Sequence, residues 1–127
     1  MIVLDTHAWL WVIVAPQRLS RAARAAIDRA GEIGISTMSF WEVALLERAG
    51  RIRLDRGAQN WTRATLVADP RMTALPITPE IALTAGTLST IRDPGDSLIY
   101  ATAVEHNAHL VTKDARIAEH DPQRVIW

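Results

Sequence analysis

Short, unbroken apolar runs punctuate the chain: "IVLD" (Ile2 to Asp5), "IGIS" (Ile33 to Ser36), "TALPI" (Thr73 to Ile77), "HLVT" (His109 to Thr112) and "RVIW" (Arg124 to Trp127). Their length and lack of polar alternation predict strands buried on both faces. Longer segments with helical signals lie between them. "HAWLWVI" starts one helix, and "RAARAAIDRA" follows Ser20 as a cap and stops at Gly31. "FWEVALLERAG" ends at Gly50, "RIRLDRG" connects, and "AQNWTRATLVA" breaks at Asp69-Pro70. Thr78-Pro79 opens "EIALTAGTLS", and "DPGDSLIYATAV" begins with Asp93 as N-cap and Pro94 in the first helical position. Strands alternating with helices predict a parallel sheet inside a three-layer α/β/α fold. With 127 residues and no repeat or linker, residues 1–127 read as a single domain.

Composition narrows the chemistry. Apolar residues make up 49% and charged residues 22%, which fits a soluble globular chain. The absence of cysteine excludes disulfides, thiol nucleophiles and cysteine zinc sites, and suits a reducing cytoplasm. "MIVLDTHAWLWVIVAP" has no basic leader and carries Asp5 within its apolar stretch, so neither a signal peptide nor a membrane span is expected. A cytoplasmic location follows as an expectation. The 14 basic and 14 acidic residues cancel, leaving no bulk positive field. Lys113 is the only lysine among the cations. Arginine forks suit phosphate and carboxylate partners, although genome composition alone gives the same bias.

The acids are the informative residues. Asp5 closes the first strand, Glu42 falls in the first turn of the helix after the second, and Asp114 follows "HLVT". Asp93 and Asp96 start the helix leading into that strand. Each has a local explanation: Asp5 and Asp93 as caps, Ser39-x-x-Glu42 as a capping box, Asp96 as a helix-dipole partner, Asp114 as a turn residue. Those roles do not explain why separate segments deliver acids to the carboxyl edge of one sheet, where ligands of such folds bind. Gathered carboxylates repel one another unless a cation neutralises them. Oxygen-only ligands suit Mg²⁺ or Mn²⁺.

In order and spacing, "IVLDTHAWLW", "SFWEVALL", "DPGDSLIYATA" and "LVTKDARI" resemble the PIN-domain family, and within it the VapC-type toxins of bacterial toxin–antitoxin pairs. The resemblance spans essentially the whole chain. It implies a five-stranded parallel sheet, a metal-dependent endoribonuclease leaving 5′-phosphate and 3′-hydroxyl ends, and a cognate VapB-type antitoxin. The family's acidic positions fall on Asp5, Glu42, Asp96 and Asp114, with Asp93 as a companion and Thr6 and Thr112 as supporting polar residues. Asp5, Asp96 and Asp114 are then expected to hold the metal, directly or through water, with Glu42 a ligand or the base that orients water. Arg18, Arg21, Arg24 and Arg92 are candidate RNA contacts.

Other readings fit less well. A haloacid-dehalogenase-type phosphatase needs a second acid two residues after Asp5, where His7 stands. "TALPIT" lacks a receiver domain's phosphoacceptor, and there is no Walker-A loop. His7, His106, His109 and His120 form no i, i+4 pair and read as structural, while Trp9, Trp11, Trp41 and Trp61 read as core or interface. The non-enzymatic alternative is a catalytically weak PIN-like module that acts by binding protein. The chain carries no helix-turn-helix, so an antitoxin is expected to supply any DNA binding and to dock on an apolar face such as Trp9, Trp11 and Ile13. Five tryptophans and a high apolar content also lead us to expect a homodimer.

Overall fold

A computed structural model describes residues 1–127. The chain runs β1 (Ile2–Leu4), α1 (Thr6–Val14), a 3₁₀ turn (Pro16–Arg18), α2 (Arg21–Arg29), β2 (Ile33–Ser36), α3 (Thr37–Arg48), α4 (Ala58–Ala68) and β3 (Met72–Leu75). It continues through α5 (Pro79–Thr87), α6 (Pro94–Glu105), β4 (His109–Val111), α7 (Ala115–His120) and β5 (Val125–Ile126). All neighbouring strands are parallel, in the order β3-β2-β1-β4-β5. This is the expected five-stranded α/β/α sheet. No helix is long and apolar enough to cross a membrane.

Adjacent residues of each strand feed two cores, because side chains alternate across a sheet. Ile2 and Leu4 join Ile33, Ile35 and Val111 on one face, against Trp9, Leu10, Ile27, Val43 and Trp61 from α1 to α4. Val3 and Leu110 pack on the other face with Ile99, Tyr100 and Ala103 of α6 and Ile117 of α7. A β-carbon at Gly34 would overlap the Leu75 side chain, so that strand position admits only glycine without rearrangement. The edge strand β3 departs from the all-buried expectation: Thr73 and Ala74 are exposed.

Several local expectations are corrected. The N-cap of α3 is Ser36, whose hydroxyl accepts from the Met38 N–H at 3.2 Å, so Ser39 is no capping-box residue and Glu42 lies in the second turn. A short helix, α7, begins after "HLVT" and two further residues, with Asp114 as its cap. Trp9 is fully buried against Phe40 and Trp61, which removes it from any docking face, whereas Trp41 is 57% exposed. His7 and His120 are exposed and line surface clefts.

Candidate active site

Strands β1 and β4 lie side by side at the centre, and the chain leaves their carboxyl ends toward different parts of the sheet. This is the switch point at which open α/β sheets bind ligands. Asp5 is the residue after β1. Its N–H donates to the Val111 carbonyl at 3.0 Å, and its Oδ1 accepts from the Thr6 N–H at 2.7 Å, capping α1. The residue after β4 is buried Thr112, whose hydroxyl donates to Asp5 Oδ2 at 2.7 Å and accepts from the Asp114 N–H at 3.0 Å. One hydroxyl thus fixes the two strand-end acids relative to each other. Asp114 Oδ1 in turn accepts from the N–H groups of Arg116 and Ile117.

Glu42 reaches the same place from α3 and Asp96 from the first turn of α6. Asp5, Glu42, Asp96 and Asp114 line one cleft of about 490 Å³, together with His7, Trp11 and Lys113. Asp93 is absent from the lining. Its Oδ1 accepts from the Asp96 N–H at 3.0 Å and caps α6. The two aspartates therefore divide the work: Asp93 holds the helix start, and Asp96 faces the cleft.

Two contacts at Glu42 were not legible in the sequence. The buried Thr6 hydroxyl sits 3.2 Å from Glu42 Oε1 and 2.9 Å from Ser39 Oγ. Having one proton, it serves the carboxylate best by donating to Glu42 while accepting from Ser39. The Glu42 carboxylate also lies over Gly95, where a β-carbon would come 3.1 Å from Oε1. A residue with a side chain at 95 would push against the acid. The only sequence signal was a glycine in a helical first turn, where it lowers helix propensity.

Burial raises the Glu42 carboxyl from 4.5 to about 7, with Asp5, Asp96 and Asp93 adding repulsion and the Thr6 bond opposing it. Burial likewise raises Asp96 from 3.8 to about 7, reinforced by Asp5, Asp93 and Asp114. Asp5 is pushed up by its own burial, against the pull of the Thr112 and Thr6 hydrogen bonds. None of the four acids has an ion-pair partner. They are nevertheless held apart: no three acidic or histidine groups are close enough to enclose an ion by themselves. The anchors explain the spacing, since Asp5 is bonded at both oxygens, Asp114 is committed to α7, and Glu42 leans on Thr6.

The arginines singled out from sequence lie in different settings. Arg18 covers the Trp11 ring at 5.5 Å, beside the cleft. Arg24 donates to the Pro16 carbonyl at 2.6 Å, a structural tie. Arg21 is exposed on α2, and Arg92 lines a separate polar pocket.

The PIN domain family model matches residues 2–121. The chain belongs to the PIN domain family. Ribonuclease VapC22 of Mycobacterium tuberculosis (strain ATCC 25618 / H37Rv) is 39% identical over 130 residues, covering 99% of this chain and 98% of the relative. Among solved structures, a toxin–antitoxin complex from Klebsiella pneumoniae superposes with a TM-score of 0.70 at 20% identity, covering 100% of this chain and 97% of that one. VapBC2 from Rickettsia felis, bound to a DNA fragment from its promoter, gives a TM-score of 0.70 at 18% identity, covering 98% and 97%. These two superpositions speak for the fold of this PIN domain, and the 39% relative speaks for the family.

Proposed function

We propose that this PIN domain is a metal-dependent endoribonuclease and the toxin of a VapBC-type pair. The observation that carries the reading is the cleft itself, where four segments bring Asp5, Glu42, Asp96 and Asp114 together without a neutralising partner. The name of the 39% relative, a ribonuclease, supports RNA as the substrate. The donor set fits a hard cation. The four acids offer carboxylate oxygens, and their wide spacing suits Mg²⁺ or Mn²⁺, which bind through one or two carboxylates and keep several waters. Asp5, Asp96 and Asp114 would hold the ion, directly or through its waters. Once bound, it would neutralise charge on the scissile phosphate and lower the pKa of water.

The chain's own groups do the rest. Glu42, whose carboxylate faces the cleft, is placed to accept a proton from an attacking water. Thr6 and Gly95 set where that carboxylate sits, and Thr112 fixes Asp5. The water oxygen bonds to phosphorus as the bond from phosphorus to O3′ breaks. The products are a 5′-phosphate and, after O3′ gains a proton, a 3′-hydroxyl. Lys113, at the cleft wall, contributes positive charge toward the phosphate.

A small VapB-type antitoxin is the proposed partner, covering exposed apolar positions such as Ile13 and Val14 at the end of α1. A second copy of the chain is the proposed dimer partner, and light scattering at micromolar concentration should report twice the 14.1 kDa chain mass. The test of the activity is direct. Purified protein is incubated with structured RNA and Mg²⁺, Mn²⁺ or chelator, beside Asp96→Asn. Metal-dependent cutting that disappears in the variant is the expected result. Binding without cutting under every metal condition favours the protein-binding alternative.

A further inference from the structure

We infer that the polar pocket formed by Ser89, Thr90, Arg92, Arg116, Glu119 and His120 is a phosphate site, which holds an RNA backbone phosphodiester next to the one cut. The inference rests on the ribonuclease reading for the identity of its ligand. The pocket, about 650 Å³, has no apolar side chain in its lining. Small-molecule sites are mostly apolar, so this lining suits a charged, strongly hydrated group. Two of the six lining residues are arginines against one glutamate, giving a net positive wall. Neither guanidinium makes an ion pair, whereas Arg56, Arg71 and Arg124 each bind a neighbouring aspartate. Unpaired guanidinium forks are the side chains best shaped for phosphate oxygens.

Thr90 and His120 hold each other in place in the lining. Thr90 Oγ lies 2.6 Å from His120 Nδ1, and the Tyr100 ring meets the imidazole edge-on at 5.2 Å. With Thr90 donating to Nδ1, the neutral imidazole carries its proton on Nε2, a further donor. Ser89 adds an exposed hydroxyl to the lining.

Position links the pocket to the acid cleft. Arg92 directly precedes Asp93, the cap of the helix that presents Asp96. Arg116 sits in the helix capped by Asp114, and its charge is felt at the Asp96 carboxylate. The loop before α6 and helix α7 line the pocket, while Asp96 of α6 and Asp114, the cap of α7, line the cleft. The acid cleft repels RNA, and the chain as a whole has zero formal net charge. A local cationic site beside the cleft supplies the attraction that the whole molecule lacks.

The test is binding of a labelled single-stranded RNA 12-mer to the full chain in chelator, over a range of salt. The proteins are wild type, Arg92→Ala/Arg116→Ala, Arg92→Gln/Arg116→Gln, and Arg29→Ala at the far end of α2. All three arginines are exposed, and melting curves check the fold. Loss of one phosphate contact should lower the magnitude of the log K–log salt slope by about 0.7 in both double variants. The loss should be equal for oligo(U) and oligo(A), because phosphate contacts carry no sequence. Arg29→Ala should match wild type. An unchanged slope in folded double variants, or an equal change in Arg29→Ala, overturns the site. If wild type cuts RNA with metal while the slopes agree, the ribonuclease reading stands and only this site fails. If the slope changes as expected but no RNA is cut with any metal, the site stands and the ribonuclease reading fails.

Discussion

Glu42 keeps its carboxylate in place through two neighbours of opposite character, a hydroxyl that attracts it and a glycine that makes room. Gly95→Ala tests the second. At this first-turn position an alanine β-carbon would crowd both Glu42 Oε1 and the capping Asp93 Oδ1, each at 3.1 Å. We expect a small change in melting temperature, and cleavage reduced about a hundredfold, the scale of a small misplacement of a reacting group. Single-turnover cleavage beside a thermal melt checks this; full activity would mean that Glu42 is placed by something else. Thr112→Val tests the bridge between the strand-end acids. It removes the donor to Asp5 Oδ2 and the acceptor for the Asp114 N–H at nearly constant volume. Cleavage should fall by at least tenfold, whereas Thr112→Ser, which keeps the hydroxyl, should retain most of it.

At the scale of elements, α7 is six residues long and depends on its cap. Asp114 serves both that cap and the acid cleft, and two variants separate the roles. Asp114→Asn and Asp114→Ala remove the same negative charge, so both share the relief of repulsion and the loss of activity. Only alanine also loses the capping oxygen, which costs about 1 kcal/mol. Urea denaturation of the pair in chelator should give that difference; equal stabilities would mean that the cap contributes nothing.

The same elements explain how much of the molecule was legible in its sequence. Uninterrupted apolar runs set the strands, and Ser20, Asp93 with Pro94, and Thr78 with Pro79 set helix starts that the structure reproduces. The edge strand β3 was placed too late, because Pro76 and Ile77 look strand-like by composition while the ladder ends at Leu75. Helix α7 is too short to show periodicity. Ser39 passed for a cap because a capping box is a local pattern, whereas its partner Thr6 is 33 residues away. The acid cleft was legible because its aspartates adjoin elements with clear ends. The pocket around Arg116 and His120 was not, since it forms only when α7 packs beside the loop before α6.

For the whole molecule, the raised acids tie stability to pH. Folded Glu42 and Asp96 bind protons up to about pH 7, while their unfolded forms release them near 4.5 and 3.8. The native state therefore holds more protons within that window, and stability falls as pH rises from about 4 to 7. Asp69 and Asp121 shift the other way through their bonds to Arg71, and to Tyr100 and Arg124, so their contribution disappears only at pH values below the ordinary aspartate range. In chelator the melting temperature should be higher at pH 5 than at pH 8. A flat profile between those values would contradict the placement of these two carboxyls. A bound cation competes with the same protons, so its stabilising effect should grow over the interval in which the apo protein weakens.

The central claim is that the carboxylates around Asp5 form a cation site and are not merely helix-start residues. It is tested most directly by thermal melts at pH 8 of wild type and Asp96→Asn, each in chelator and in Mn²⁺. Asparagine keeps the shape and leaves the Asp93 cap in place, at a cost of about 0.3–1 kcal/mol in helix-dipole interaction. Relief of repulsion should outweigh that cost, so the variant should melt above wild type in chelator. Wild type should gain about 2.7 kcal/mol at a hundredfold excess of metal over its dissociation constant, and the variant far less at the same concentration. If Asp96→Asn melts below wild type in chelator and gains as much from Mn²⁺, then Asp96 only starts a helix and the cation site is not where its carboxylate lies.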